Sequence, residues 1–133
     1  MDPLKILIVE DEPLFREMLR HTLDAEPGLD VVGVATDGES AVAMAAEKNP
    51  DAVIMDIELP GEMDGIDAAL KIKERRLDTG IVILSVHKDR RYVSSLPLSE
   101  THGWAYLLKQ NVPDMASVLR AIQGSVEDRK SVV

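Results

Sequence analysis

The side chains able to do chemistry fall at the ends of apolar runs. Glu10 and Asp11 follow Ile6-Leu7-Ile8-Val9, Asp56 follows Ala52–Met55, Ser85 follows Ile81–Leu84, and Lys109 follows Trp104–Leu108. A carboxylate in such a place ordinarily caps a helix or sits in a loop, so none of these residues is specific alone. Together they form a chemical set. Three carboxylates in one cleft repel each other, and a hard divalent cation with oxygen ligands is the simplest relief. Mg²⁺ suits best: two carboxylates, a backbone carbonyl, waters and a phosphate oxygen would complete the octahedron of about six oxygens that it prefers. A cation-bound Asp can then act as nucleophile on a phosphoryl group and form an acyl phosphate, with an ammonium and a hydroxyl sharing the charge of the transferred oxygens. Asp56, Lys109 and Ser85 supply those parts.

For these residues to meet, the apolar runs must be neighbouring strands. The runs are Leu4–Val9, Leu29–Ala35, Ala52–Met55, Ile81–Leu84 and Trp104–Leu108, and helical patterns lie between them. Met115, Val118, Leu119 and Ile122 make an apolar stripe on a helix predicted to end near Gly124. Ile66, Ala69 and Leu70 repeat the pattern, as do Ala41, Val42, Ala45 and Ala46 after Asp37-Gly38. Phe15, Met18, Leu19, Thr22 and Leu23 form a broader stripe behind Pro13, which suits a first helical turn. Strands that are apolar on both faces, joined by right-handed crossovers, predict an α/β fold: a flavodoxin-like, doubly wound, five-stranded parallel sheet of order 2-1-3-4-5. That order makes strands one, three, four and five adjacent, so the chemical set converges at their carboxyl ends. Residues 1–124 are expected to form one domain, with 125–133 as a tail or the start of a linker.

Composition narrows the function classes. A net charge of −9 repels polyphosphate backbones, which argues against direct nucleic-acid binding and favours a cation. The absence of cysteine excludes disulfides, thiolate metal sites and thiol nucleophiles. The amino-terminal apolar run is too short for a signal peptide or membrane span, so the expected location is cytoplasmic with no membrane partner.

The segments ILIVEDEPLFREML, AVIMDIELPGEMDGIDAALKIK, IVILSVHKD and AYLLK, in this order and spacing, resemble the response-regulator receiver family of two-component signalling from Ile6 to about Gly124. The resemblance implies that Asp56 is the phosphoacceptor and that Glu10 and Asp11 are the acidic pair. It further implies that Asp11 ligates Mg²⁺ directly, Glu10 does so through water, and the main-chain carbonyl of Glu58 is a third protein ligand. Ser85 matches the switch hydroxyl, Lys109 the family's lysine, and Tyr106 the aromatic switch position. The implied donor is a phosphohistidine on a sensor histidine kinase or phosphotransfer protein, and a homodimer is an expected possibility. The stretch LFREML, with Lys109 not followed by Pro, looks most like receivers preceding a helix-turn-helix output domain; DNA would be reached only through such a domain, in transcriptional regulation.

Some residues depart from the family pattern. Gln110 follows Lys109 where many receivers have a cis proline, so a trans peptide is expected there. Pro97 predicts a broken or displaced helix between strands four and five. Tyr106 also reads as an ordinary residue of an edge strand, Trp104 as partial packing or an interaction surface, and His21, His87 and His102 as surface or capping residues without metal-ligand spacing. Pro60-Gly61 and Asp64-Gly65 read as turn chemistry. Two other functions compete: a Mg²⁺-dependent phosphohydrolase that uses Asp56 as nucleophile, and an interaction module independent of phosphorylation. Asp56-Ile57-Glu58 faintly resembles the haloacid-dehalogenase motif, but that motif belongs after the first strand. Flavin binding suits the fold, although Glu10-Asp11-Glu12 would repel its phosphate.

Overall fold

In the computed structural model, residues 2–86, 103–112 and 114–131 are described. Five strands form one sheet: β1 (Leu4–Val9), β2 (Leu29–Ala35), β3 (Ala52–Asp56), β4 (Gly80–Ser85) and β5 (Trp104–Leu108). The helices are α1 (Pro13–Asp24), α2 (Gly38–Lys48), α3 (Gly65–Arg75) and α4 (Met115–Ser131), and a 3-10 turn at Lys109–Asn111 joins β5 towards α4. The strands are parallel, in the order β2-β1-β3-β4-β5, as the crossover argument predicts.

Strand alternation sorts the core into two layers. Ile6, Ile8, Ile54, Val82 and Leu84 face α1 and α4, where they meet Leu19, Leu23, Val118, Ile122 and Val126. Leu7, Val9, Val53, Met55, Ile81 and Ile83 face α2 and α3, packing on Ala41, Ala45, Ile66, Ala69 and Ile72. Nearly all these strand residues are fully buried, which is why β1, β3 and β4 read as continuous apolar runs rather than alternating ones. Helix starts follow local chemistry. The Glu12 carboxylate accepts from the N–H groups of Leu14 and Phe15 ahead of Pro13 in the first turn of α1. Asp37 caps α2 through Ser40, and Asp64 with Asp67 forms a reciprocal capping box on α3.

Three expectations need correction. The last helix does not stop near Gly124 but continues to Ser131, because Ser125 and Val126 are both buried and hold the added turn against the sheet. The first part of the expected 125–133 tail is therefore helix. Leu70 is on the outer side of α3; Ala68, Ala69 and Ile72 form the buried face instead. β3 and β4 each reach one residue further, to Asp56 and Ser85, since the ladder pairs Asp56 with Leu84 and Ser85 with Leu108. The Lys109–Gln110 peptide is trans, as expected. Pro97, His87 and His102, with the expected broken helix, lie outside the described residues.

Candidate functional site

The sheet order brings the ends of β1, β3, β4 and β5 side by side, and the expected set meets there. Glu10 directly follows β1, its N–H donating to the Ala35 carbonyl at 3.0 Å, and its side chain is completely buried. One carboxylate oxygen, Oε2, accepts from the Glu12 N–H at 3.1 Å. The other, Oε1, lies 2.6 Å from Lys109 Nζ and takes no further hydrogen bond among the described residues. The same ammonium is 3.3 Å from Asp56 Oδ2. Asp11 is exposed at the mouth, and carboxylate oxygens of Glu10, Asp11 and Asp56 all lie within 4.8 Å of one another.

Asp56 is 4 % exposed, and its Oδ1 accepts a long hydrogen bond, 3.4 Å, from the Glu58 N–H. Burial, followed by the nearby negative charge of Glu10, pushes its carboxyl up to about 7, with Lys109 pulling only partly the other way. For Lys109 burial works against the charge, but contacts with Glu10 and Asp56 outweigh it and hold the ammonium above its ordinary range. Among the described residues, the cleft thus has more buried negative charge than the Lys109 ammonium compensates. The acidic trio is a group of carboxylates that could hold a divalent cation.

A recess of about 20 Å³ lies beside Asp56, lined also by Ile57, Glu58, Ser85, Val86 and Lys109. Ser85, buried at the end of β4, continues the face of Ile81 and Ile83; Tyr106, opposite Ile83 in the ladder, is half-buried on that same face. The expected hydroxyl and aromatic residues therefore share one side of the sheet. Trp104 is half-buried, with the Lys73 ammonium 5.7 Å from its ring, so it packs rather than standing free.

Sequence reading missed three supporting residues. Gly65 looked like turn chemistry, but its N–H donates to the Ile57 carbonyl at 2.8 Å, and a Cβ there would overlap the Asp56 carbonyl. Arg16 reaches back from α1, its guanidinium donating to the main-chain carbonyls of Glu10 at 3.2 Å and Asp11 at 3.4 Å. Phe15 places its ring 4.8 Å from Lys109 Nζ. The helical spacing gave only their faces; contacts made across the fold leave no periodic signal.

Comparison with known proteins bears on the fold and family of the chain. The family model described as "Response regulator receiver domain" matches residues 6–122. The transcriptional regulatory protein DegU of Brevibacillus brevis is 36% identical over 107 residues, covering 80% of this chain and 44% of DegU. Protein-glutamate methylesterase/protein-glutamine glutaminase 4 of Myxococcus xanthus is 37% identical over 113 residues, covering 85% of this chain and 31% of that protein. Among solved structures, the signal receiver domain of the putative response regulator NarL from Mycobacterium tuberculosis superposes with a TM-score of 0.79 at 28% identity, covering 93% of this chain and 99% of that one. The chain spans about half the length of the transcriptional regulatory proteins it matches.

Proposed function

This chain belongs to the response-regulator receiver domain family, and from that premise and its cleft we infer that Asp56 accepts a phosphoryl group from a phosphohistidine donor. The observation that carries the assignment is the convergence on Asp56: two further carboxylates within 4.8 Å and an ammonium at 3.3 Å. An Asp56 carboxylate oxygen attacks phosphorus, the P–N bond breaks, and its electron pair leaves with the imidazole nitrogen, which takes up a proton. Lys109 faces the oxygens that gain charge, and the recess beside Ser85 and Glu58 receives the group. Asp11, Asp56 and the Glu58 carbonyl would hold Mg²⁺, with Glu10 acting through water. When bound, the ion would neutralise the carboxylates and share the phosphoryl charge. Turnover of this kind makes the chain a phosphoacceptor switch whose own groups promote transfer and later hydrolysis, rather than a dedicated hydrolase.

The new phosphoryl group offers acceptor oxygens to the Ser85 hydroxyl. Movement of Ser85 inward frees space on the face it shares with Tyr106, whose ring can then bury more deeply and alter the β4–β5 edge. The partner upstream is a sensor histidine kinase or phosphotransfer protein, and the setting is cytoplasmic. Downstream, the match to transcriptional regulatory proteins supports a DNA-binding output in the same polypeptide, and pairing of receivers is a suitable way to convey the switch. The described residues contain no helix long and apolar enough to cross a membrane.

The test is incubation with phosphoramidate and Mg²⁺, followed by intact mass measurement and mapping of the acyl phosphate after borohydride reduction. One phosphoryl group on Asp56, absent from Asp56→Asn, is the expected result. Modification elsewhere, or equal modification of the variant, overturns the assignment.

A further inference from the structure

Phe15 stands at the cleft without any role in the chemistry just described. It lies in the first turn of α1, half-buried against the core layer shared by α1 and α4, with its ring 4.8 Å from Lys109 Nζ. Two contacts fix that turn. The Glu12 carboxylate accepts from the Phe15 N–H at 2.6 Å, and Arg16, the next residue, clamps the carbonyls of Glu10 and Asp11. The ring is thus tied to the acidic loop that Lys109 also touches.

We propose that Phe15 is a positioning residue for phosphoryl transfer: its ring face holds the Lys109 ammonium in the cleft while that ammonium exchanges Asp56 for a phosphoryl oxygen. The inference rests on the role assigned to Lys109 above. A lysine ammonium is a compact, strongly hydrated charge on a flexible four-carbon stem, and it leaves for water readily once a carboxylate partner is lost. Asp56 becomes such a lost partner when its carboxylate turns to the incoming phosphorus. Glu10 Oε1, at 2.6 Å, still holds the ammonium from the buried side. The ring attracts it through its negative face and offers no lone pair that would compete with the phosphoryl oxygens. Phe15 also borders a surface hollow with Glu12, Met18, Val86 and Gln110, so plain packing is the competing explanation.

The experiment separates charge attraction from packing. Phe15 in the full chain is replaced by singly, doubly and triply fluorinated phenylalanine, which keep its shape while weakening the ring face, and by Leu, Tyr and Trp. Phosphorylation of Asp56 is timed with phosphoramidate at saturating Mg²⁺, so that recognition of a protein donor does not enter the rate. In metal-free protein, NMR records the Lys109 Hε signals, which the ring should shift upfield. The expected rates fall stepwise with fluorination, by about threefold to tenfold in all, with Phe15→Leu at the low end and Phe15→Tyr and Phe15→Trp close to wild type. Loss of the upfield shift in Phe15→Leu is expected alongside. Equal rates across the fluorinated series, or Lys109 signals unmoved by Phe15→Leu, overturn the proposal. If the unsubstituted protein takes no phosphoryl group on Asp56, the assignment of the cleft fails first; a phosphorylated protein with a flat series refutes the Phe15 inference alone.

Discussion

Asp56→Asn should make the metal-free protein more stable at alkaline pH even as it abolishes phosphoryl acceptance. The Asp56 carboxyl is pushed up to about 7 in the fold, against 3.8 for an unperturbed side chain. Between those values the native state holds a proton that the unfolded chain has released, so stability falls as pH rises through this window and the loss is complete above about 7. The gap corresponds to roughly 4 kcal/mol against the ionised form, and screening by solvent at the cleft mouth leaves about 1–2 kcal/mol. Asparagine keeps the shape and carries no charge, so the variant escapes that cost. The assay is urea unfolding in EDTA, followed by circular dichroism, at about pH 5 and about pH 8. The variant should be ahead by about 1–2 kcal/mol at the higher pH and by roughly two fifths of that at the lower, where the unfolded carboxyl has already released its proton and the native one has not. Added Mg²⁺ should reverse the order, since binding to the native state contributes about 2.7 kcal/mol at a concentration a hundred times Kd. A variant that is less stable than wild type at the higher pH, or a difference independent of pH, would refute the account of the cleft as short of positive charge.

Other consequences are as direct. Lys109→Ala leaves the fully buried Glu10 carboxylate without its ammonium and should cost about 2–4 kcal/mol, much of it restored by adding Glu10→Gln; a double-mutant cycle with no coupling would count against the ion pair. Asp11→Ala should weaken Mg²⁺ binding, read by calorimetry, and unchanged affinity would remove Asp11 from the ligand set. Gly65→Ala forces a methyl group into the Asp56 carbonyl and should cost about 1–3 kcal/mol, measured by urea unfolding, and slow phosphorylation as well; a silent substitution would mean that the β3–α3 junction adjusts freely.

The strands were legible because both sheet faces are covered. A chain buried on two sides needs apolar residues in succession, and β1, β3 and β4 have them. Their ends were less so: Asp56 and Ser85 break the apolar pattern but not the hydrogen-bonded ladder, which depends on the backbone of the neighbouring strand. The end of α4 failed for a similar reason. Gly124 is a fair stop signal, yet Ser125 packs where a Cβ at Gly80 would intrude, and Val126 is buried beyond it. Tertiary contact with the start of β4 outweighs the local cost of glycine in the helix.

The site was legible to a different depth. Strand order plus the rule that ligands gather at carboxyl ends located Glu10, Asp11, Asp56, Ser85 and Lys109 together, because each stands at a fixed place in the topology. Pair geometry lay beyond that rule. Nothing in the spacing says that Lys109 meets Glu10 at 2.6 Å and Asp56 at 3.3 Å, or that one Glu10 oxygen turns to the Glu12 N–H. These details follow from the buried depth of Glu10, whose extra methylene relative to aspartate lets the carboxylate extend to the ammonium. Glu10 therefore serves the cleft first as the anchor of Lys109, and a shorter side chain at that position would have to leave the ammonium to Asp56 and Phe15. Glu10→Asp should accordingly loosen Lys109 and make the reaction depend more steeply on the ring of Phe15, a coupling that the fluorinated series repeated in that background would measure.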